Sequence, residues 1–389
     1  IKLAETGTLA SSISMSGGTL DADETSTVSG ELSHSSDITI DVASAKTLTY
    51  SGSAISVGAN TLTLTGGGSL VSGGLTLDNA SSKLLLNSIT VDNVTTSADS
   101  LGLDIDADST VTSLSVGHIT PVSIASNKTL SGAITVSAGS LKLNETGTLA
   151  STVAMSGGIL DADETSTVSG ALSHSSDITI DVATGKTLYY TGPTVNLGAN
   201  SMTLSGGGTL NNTYNLVLNN ANSKLLLNSI TLKNLDTSSD SLGIDVNADS
   251  TVTSLSVANI TPVSIAATKT LSGAITVSAG SLKLNEAGTL ASSVSMSGGV
   301  LDADESSTVS GTFTQSGDIT IDLATDKTLT YTGAAVNLGA NTLTLSGGGT
   351  LSNSNDLLLD NANSKLLLNS ITVDNVSTTV NNSLGVDVD

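Results

Sequence analysis

The sequence contains no cysteine, no tryptophan and no arginine, and it has only 3 prolines in 389 residues. The lack of cysteine excludes a disulfide framework, thiol catalysis and thiolate metal sites. The lack of arginine removes the planar side chain that binds phosphate through two parallel hydrogen bonds. Few prolines are consistent with strands whose backbone N–H groups donate to neighbouring strands. No run of about 18 apolar residues occurs, so the sequence predicts no transmembrane helix.

The charge is strongly one-sided, because 35 acidic residues face 12 lysines and give a formal net charge of −23. This field repels nucleic acid and anionic lipid, so we expect no nucleic-acid partner and no membrane insertion. Aromatic residues make up 2% of the chain, although 38% is hydrophobic. The core must therefore be filled by Leu, Ile, Val and Ala, which suit a narrow interior of constant width. The abundant Ser, Thr, Asn and Gly suit strands and tight corners.

A long internal repeat organises the chain. Lys83, Lys224 and Lys365 occupy matching positions at equal spacing in three successive copies. Both ends of the chain fall inside this pattern, so we expect a segment of a longer array. The predicted organisation is one continuous solenoid over 1–389 with sequence units 1–140, 141–281 and a partial 282–389.

A shorter pattern runs inside each long unit. An apolar-x-apolar segment is followed by a polar loop and then by Thr and an apolar anchor, and the anchors Leu149, Val168 and Leu188 recur at nearly equal intervals. The segments alternate with a period of two, and none has a helical period. The pattern predicts an all-β fold, a single-stranded parallel β-solenoid with about 20 residues per coil and about 19 coils. The residues alone leave its handedness open.

One recurring phrase carries a resemblance to a known family. It reads Gly58-Ala-Asn-Thr-Leu-Thr-Leu-Thr-Gly-Gly-Gly-Ser-Leu70 in the first unit and returns at Gly198 and Gly339 with few changes. It resembles the strand repeat of bacterial autotransporter passenger domains and large filamentous adhesins. The resemblance implies a right-handed β-helix, secretion, and display on a cell surface or in an extracellular matrix.

Acidic loops of the form Asp-Ala-Asp-Glu are the first candidate site. Clustered carboxylates at a turn provide the hard oxygen ligands that calcium prefers. The loops lack the Gly and the distal Glu of an EF-hand loop. The alternative interpretation is that they are solvated corners that keep the protein soluble. Apart from calcium, we expect no cofactor. The calcium candidates are Asp21, Asp23, Glu24, Asp161, Asp163, Glu164, Asp302, Asp304 and Glu305.

Catalysis is not predicted. Paired carboxylates also serve glycoside cleavage. Two observations disfavour it here: sugar-cleaving sites usually add arginine and aromatic rings, and the acidic loop repeats in each unit instead of forming one pocket. His34 and His174 have Gln315 at the matching position of the third unit, which indicates polar surface positions. We expect no catalytic residue, and therefore not an enzyme.

Three further polar patterns have structural interpretations. The Thr-x-Thr run at 61–65 is similar to the threonine arrays of ice-binding solenoids, but alternation places Thr on the outer face of any such strand. Asn87, Asn228 and Asn369 are candidates for an internal turn cap or an asparagine ladder. Lysines recur beside the acidic loops, where we expect them to neutralise the corners. These are Lys46, Lys128, Lys186, Lys269 and Lys327, with Lys83, Lys224 and Lys365 before the leucine triplets.

The sequence thus predicts a secreted structural protein of a fibre, sheath or matrix filament, assembled by stacking of β-coils and by self-association. Its expected partner is another copy of itself, end to end or side by side, with a host or neighbouring cell surface as a further candidate. The alternative function is the rod-like stalk of a surface adhesin or autotransporter that presents a binding tip outside this segment.

Overall fold

The computed structural model describes all residues, 1–389, and consists of two compact units, Ile1–Pro193 and Thr194–Asp389. Its secondary structure is entirely β, and it has no helix that could cross a membrane. In each unit the parallel strands stack as a β-solenoid with about 20 residues per turn, and the chain has about 19 turns in all. The predicted fold class is confirmed. The handedness and the continuity of the solenoid through residue 193 stay predictions.

Each coil of the first unit contributes strands to three sides, which we name A, B and C in chain order. Side A is formed by Lys2–Leu3, Thr19–Ala22, Ile38–Val42, Thr61–Thr65, Lys83–Asn87, Gly102–Ala107, Ile119–Ile124, Ser140–Leu143, Ile159–Ala162 and Ile178–Val182. Side B is formed by Thr8–Leu9, Ser26–Val28, Thr47–Tyr50, Ser69–Ser72, Thr148–Leu149, Ser166–Val168 and Thr187–Tyr190. Side C is formed by Ile13–Met15, Leu32–His34, Ile55–Ser56, Leu75–Leu77, Thr152–Met155 and Leu172–His174. Long strands cover sides B and C together at Thr90–Thr96, Ser109–Val116 and Thr129–Val136.

The second unit follows the same plan. Side A is formed by Ser201–Ser205, Lys224–Leu227, Gly243–Val246, Ile260–Ile265, Ser281–Leu284, Val300–Ala303, Ile319–Leu323, Thr342–Ser346, Lys365–Leu368 and Gly385–Val388. Side B is formed by Thr209–Asn212, Thr289–Leu290, Ser307–Val309, Thr328–Tyr331, Thr350–Asn353 and Thr372–Val373. Side C is formed by Val195–Asn196, Leu216–Leu218, Ser293–Met296, Phe313–Gln315, Val336–Asn337, Leu357–Leu359 and Val376–Thr378. The long strands are Thr231–Thr237, Ser250–Val257 and Thr270–Val277.

The interior consists of aliphatic columns, because in-register parallel pairing places like residues directly above one another. Leu62 pairs with Leu84, which pairs with Leu103, and the column continues through Val122 to Leu143. These side chains are at most 2% exposed. Alternation along each strand leaves Ser, Thr, Asp and Lys on the outer surface. Neighbouring coils bury this apolar surface jointly, so stability is collective.

A buried tyrosine fills the interior where a coil becomes wider. The coil that runs from Ile38 to its partner Leu62 contains more residues than the coil that runs from Leu84 to Leu103. Tyr50 lies in the wide coil, and its hydroxyl accepts the backbone N–H of Leu32 at 3.0 Å. In a coil of regular width, a backbone carbonyl would accept this N–H. In the wide coil, the tyrosine hydroxyl takes the place of that carbonyl. The same bond is made by Tyr190 with Leu172 and by Tyr331 with Phe313.

An asparagine ladder lies at the corner between sides B and C of the second unit. The Asn212 side-chain amide donates to the Asn234 carbonyl at 2.7 Å, and the Asn234 amide donates back to the Asn212 carbonyl at 2.8 Å. Asn353 and Asn375 repeat the arrangement. The predicted ladder at Asn87, Asn228 and Asn369 is wrong, because the Asn87 side chain is exposed and the Asn369 side-chain oxygen has no partner.

Candidate functional site

The predicted calcium loops lie at the corners between sides A and B, and lysines from the preceding coil occupy them. Lys142 stands directly beside Asp161 in the side A ladder. Its ammonium lies 3.2 Å from the Asp161 carboxylate and 3.0 Å from that of Asp163. The same clamp recurs at Lys2 with Asp21 and Asp23, and at Lys283 with Asp302 and Asp304.

The third carboxylate of each loop faces the following coil. Glu24 pairs with Lys46 at 2.5 Å, and Glu164 pairs with Lys186 at 2.6 Å. Glu305 and Lys327 form the third copy at 2.6 Å. Each corner is therefore linked to both neighbouring coils.

All nine calcium candidates thus have a lysine partner. A calcium ion would have to displace these ammonium groups to reach its oxygen ligands. No group of three or more His, Asp or Glu side chains in the chain is arranged to hold a metal ion. Calcium binding stays a prediction of the sequence.

The pKa shifts at the corners follow from burial and pairing. Burial raises the pKa of Asp161 and of Asp302 above the usual aspartate value, although their lysine partners oppose the shift. The hydrogen bond to Asp163 raises the pKa of Lys142, and the bond to Asp302 raises that of Lys283. Desolvation of these half-buried aspartates opposes their ionisation, and the paired lysine favours it.

A second set of lysines forms cross-coil pairs before the leucine triplets. Lys224 lies 2.6 Å from Asp245, and Lys365 lies 2.7 Å from Asp387. Lys83 pairs with Asp104 in the same way. The predicted neutralising role is confirmed for these lysines and for those beside Glu24, Glu164 and Glu305. It is wrong for Lys128 and Lys269, which form no ion pair in the structure.

Other corner aspartates accept backbone N–H groups from an adjacent coil, a role that the sequence reasoning missed. Asp37 accepts the Thr61 N–H at 2.7 Å, so it satisfies a donor at a corner where the ladder is interrupted. Such bonds are strengthened by the carboxylate charge. The available signal was the recurrence of an Asp close to a strand end, directly before a strand as at Asp37 and Asp108 or directly after one as at Asp78 and Asp360. Further examples are Asp78, Asp99, Asp108, Asp240, Asp249, Asp318 and Asp360.

The histidine of the first sequence unit links two coils, whereas Nε2 of His174 in the second sequence unit has no partner. The two ring nitrogens of His34 lie 3.0 Å from the backbone carbonyl oxygens of Ser36 and Ser56, the latter on the next coil. In the third sequence unit the Gln315 amide donates to the Leu338 carbonyl at 3.0 Å. Glutamine can replace histidine here because both supply an N–H donor directed at the following coil.

The Thr-x-Thr run does not continue as a regular array. The outward column through Thr63 contains Thr19 and Thr39 on the two preceding coils but continues into Leu85 and Asp104 on the next two. A flat surface of paired threonines would need the same residues on consecutive coils. The arrangement favours the simpler interpretation, in which these threonines are the outer half of an alternating strand.

Comparisons of the chain with protein-family models, with curated proteins and with solved structures found no match. The resemblance to autotransporter passenger and adhesin repeats stays a prediction. The coil geometry and the cross-coil links are the basis for the function proposed below.

Proposed function

We propose that this chain is a structural, non-catalytic repeat protein of an extracellular fibre, sheath or matrix filament. The observation that carries the proposal is the recurrence of the same charged links between coils in each sequence unit. The Lys–Asp clamp and the Glu–Lys pair at one corner connect three successive coils. Side chains that could have served a pocket are used to hold one coil to the next.

These links suit a protein that resists separation of its coils. Each boundary combines backbone ladder bonds, a shared aliphatic interior and side-chain links at the corners. A single coil cannot repay its conformational entropy, so pulling one coil away costs the contacts with both neighbours. The exposed pairs contribute little each, on the order of 0–1 kcal/mol, and the buried columns carry most of the stability.

Self-association is the second part of the proposal. We propose that copies of the chain associate end to end or side by side in the secreted material. The net charge of −23 opposes side-by-side contact, so salt promotes it by screening the repulsion.

Electron microscopy of native material and of the purified chain tests the proposal. Continuous filaments or sheets labelled by an antibody to the chain support the fibre. Isolated rods with a distal head support instead the stalk of a surface adhesin. Dispersed chains that form neither, at any salt concentration, contradict both functions.

A further inference from the structure

Two equivalent surface grooves lie at the corners between sides A and B. The groove in the first unit has a volume of about 260 Å³, and the groove in the second unit has about 250 Å³. In each groove, three of the four coils have a long strand that covers sides B and C together. The polar side chains that line the first groove include Ser88, Thr90, Asp108, Thr110, Thr129 and Ser131, and those of the second include Ser229, Thr231, Asp249, Thr251, Thr270 and Ser272.

The first groove exists because neighbouring corners differ in length. Three glycines, 66–68, form one bordering corner, and four residues, 125–128, form the other. The two corners between them are shorter. Ser88, whose backbone is in the left-handed conformation (φ 57°), forms one of them together with Ile89, and Asp108 alone forms the other. Short corners between long ones leave a recess. It spans four coils, about 14 Å at the usual strand spacing.

Most of the hydroxyl groups that line the first groove are free; the exception is Ser109, whose hydroxyl donates to the Ala107 carbonyl and accepts the Ile89 N–H. Thr90 pairs in register with Thr110, and Thr110 pairs with Ser131, so their hydroxyls form a column on three successive coils. None of these three hydroxyls forms a hydrogen bond within the protein, and the same holds for those of Ser88 and Thr129. One oxygen of Asp108 accepts the Thr129 N–H at 2.9 Å and holds the edge of the groove in place.

The lining selects the chemistry of a ligand. Hydroxyls both donate and accept hydrogen bonds, and the carboxylate accepts them. The lining has no lysine to bind an anion and no aromatic or large apolar surface to bind a hydrophobic group. The negative field of the chain further disfavours acidic ligands. A neutral chain of hydroxylated units matches these properties.

We propose that each groove binds a segment of a neutral polysaccharide, with the hydroxyl column following the direction of the sugar chain. The second groove has the same column, because Thr231 pairs with Thr251 and Thr251 pairs with Ser272. Each groove alone binds weakly, since few hydrogen bonds are made and water competes for them. Each compact unit thus carries one groove of this kind. This inference does not depend on filament formation.

Affinity electrophoresis in native gels containing glucan, mannan or galactan tests the proposal, with alginate as the acidic control. The test variant combines Thr110→Val, Thr251→Val, Ser131→Ala and Ser272→Ala, which remove hydroxyls while valine keeps the strand-favouring shape. The matched control is Thr49→Val with Thr330→Val, at side B positions outside the grooves. We expect at least one neutral polysaccharide to retard the parent and the control, and the test variant to bind at least about fivefold more weakly.

Three results would overturn the proposal. They are a parent chain that no neutral polysaccharide retards, a test variant that is retarded as strongly as the parent, and stronger retardation by alginate than by the neutral polymers. If the test variant has a lower melting temperature, Ser131→Gln with Ser272→Gln provides a second variant that fills the grooves. That variant must also lose retardation while the control keeps it.

Discussion

The buried tyrosines offer the sharpest test of how the coils are held together. The Tyr331 hydroxyl accepts the Phe313 N–H at 3.2 Å and donates to the Ala334 carbonyl at 2.7 Å. Its ring packs edge-on against Phe313, with the ring centroids 6.4 Å apart. A Cβ atom at Gly333 would lie 2.5 Å from the Tyr331 hydroxyl oxygen, which explains the Tyr-x-Gly spacing.

Tyr331→Phe removes only the hydroxyl and keeps the ring. The buried Phe313 N–H loses its acceptor, and the Ala334 carbonyl loses its donor. A lost hydrogen bond costs about 1 kcal/mol, and an unsatisfied buried donor adds about 1–3 kcal/mol, so we expect a loss of about 2–4 kcal/mol. Tyr50→Phe should cost less, because the Tyr50 hydroxyl donates to the exposed Glu31 carboxylate, which water can replace.

Amide hydrogen exchange is the appropriate measurement, since a repeat protein need not unfold in one step. The exchange of the Phe313 amide should accelerate by about 30-fold or more in Tyr331→Phe, following the factor of ten per 1.4 kcal/mol. Tyr189→Phe is the matched control, because Tyr189 is 42% exposed and its hydroxyl forms no hydrogen bond. Equal protection of the Phe313 amide in Tyr331→Phe and Tyr189→Phe would refute the role of the hydroxyl.

Three other predictions concern polar links. Saturating calcium should leave the melting midpoint of the parent unchanged. In Lys142→Met the corner carboxylates are freed, so calcium should raise the melting midpoint of that variant. A rise in the midpoint of the parent would contradict the lysine clamp. Hydrogen bonding raises the pKa of Lys142 above 10.5, and burial raises that of Tyr190 above 10.0. The stabilising contribution of these two groups is complete at a pH below their pKa values in the unfolded state, and it is lost as the pH rises through their pKa values in the folded state. The urea midpoint should therefore fall above about pH 10 and not between pH 7 and 9. Asn353→Ala should lower the free energy of unfolding by about 1–3 kcal/mol, since it leaves the Asn375 N–H without its acceptor and the Asn375 carbonyl without its donor. An equal loss in Asn363→Ala, which removes an exposed side chain that forms no hydrogen bond, would argue against the ladder.

Local sequence predicted the links only in part. The sequence showed that the corner lysines and the acidic residues have opposite charges and could form ion pairs. It did not show which lysine pairs with which acidic residue. Lys142 meets an aspartate on the following coil, whereas Lys46 meets a glutamate on the preceding coil. Because coils differ in length, the offset between partners changes from coil to coil. For the same reason, the sequence analysis assigned the asparagine ladder to the wrong residues.

The amino-acid sequence by itself determined the all-β class, the winding into short coils of nearly constant length and the aliphatic interior, because alternation and repetition are local properties of the chain. Only the tertiary structure decided which residues stand beside one another on successive coils. Register follows from the length of every corner and from the wide coils that the tyrosines fill. The lysine clamps, the aspartate caps and the two hydroxyl grooves all depend on that register, so they appear only when the coils are stacked.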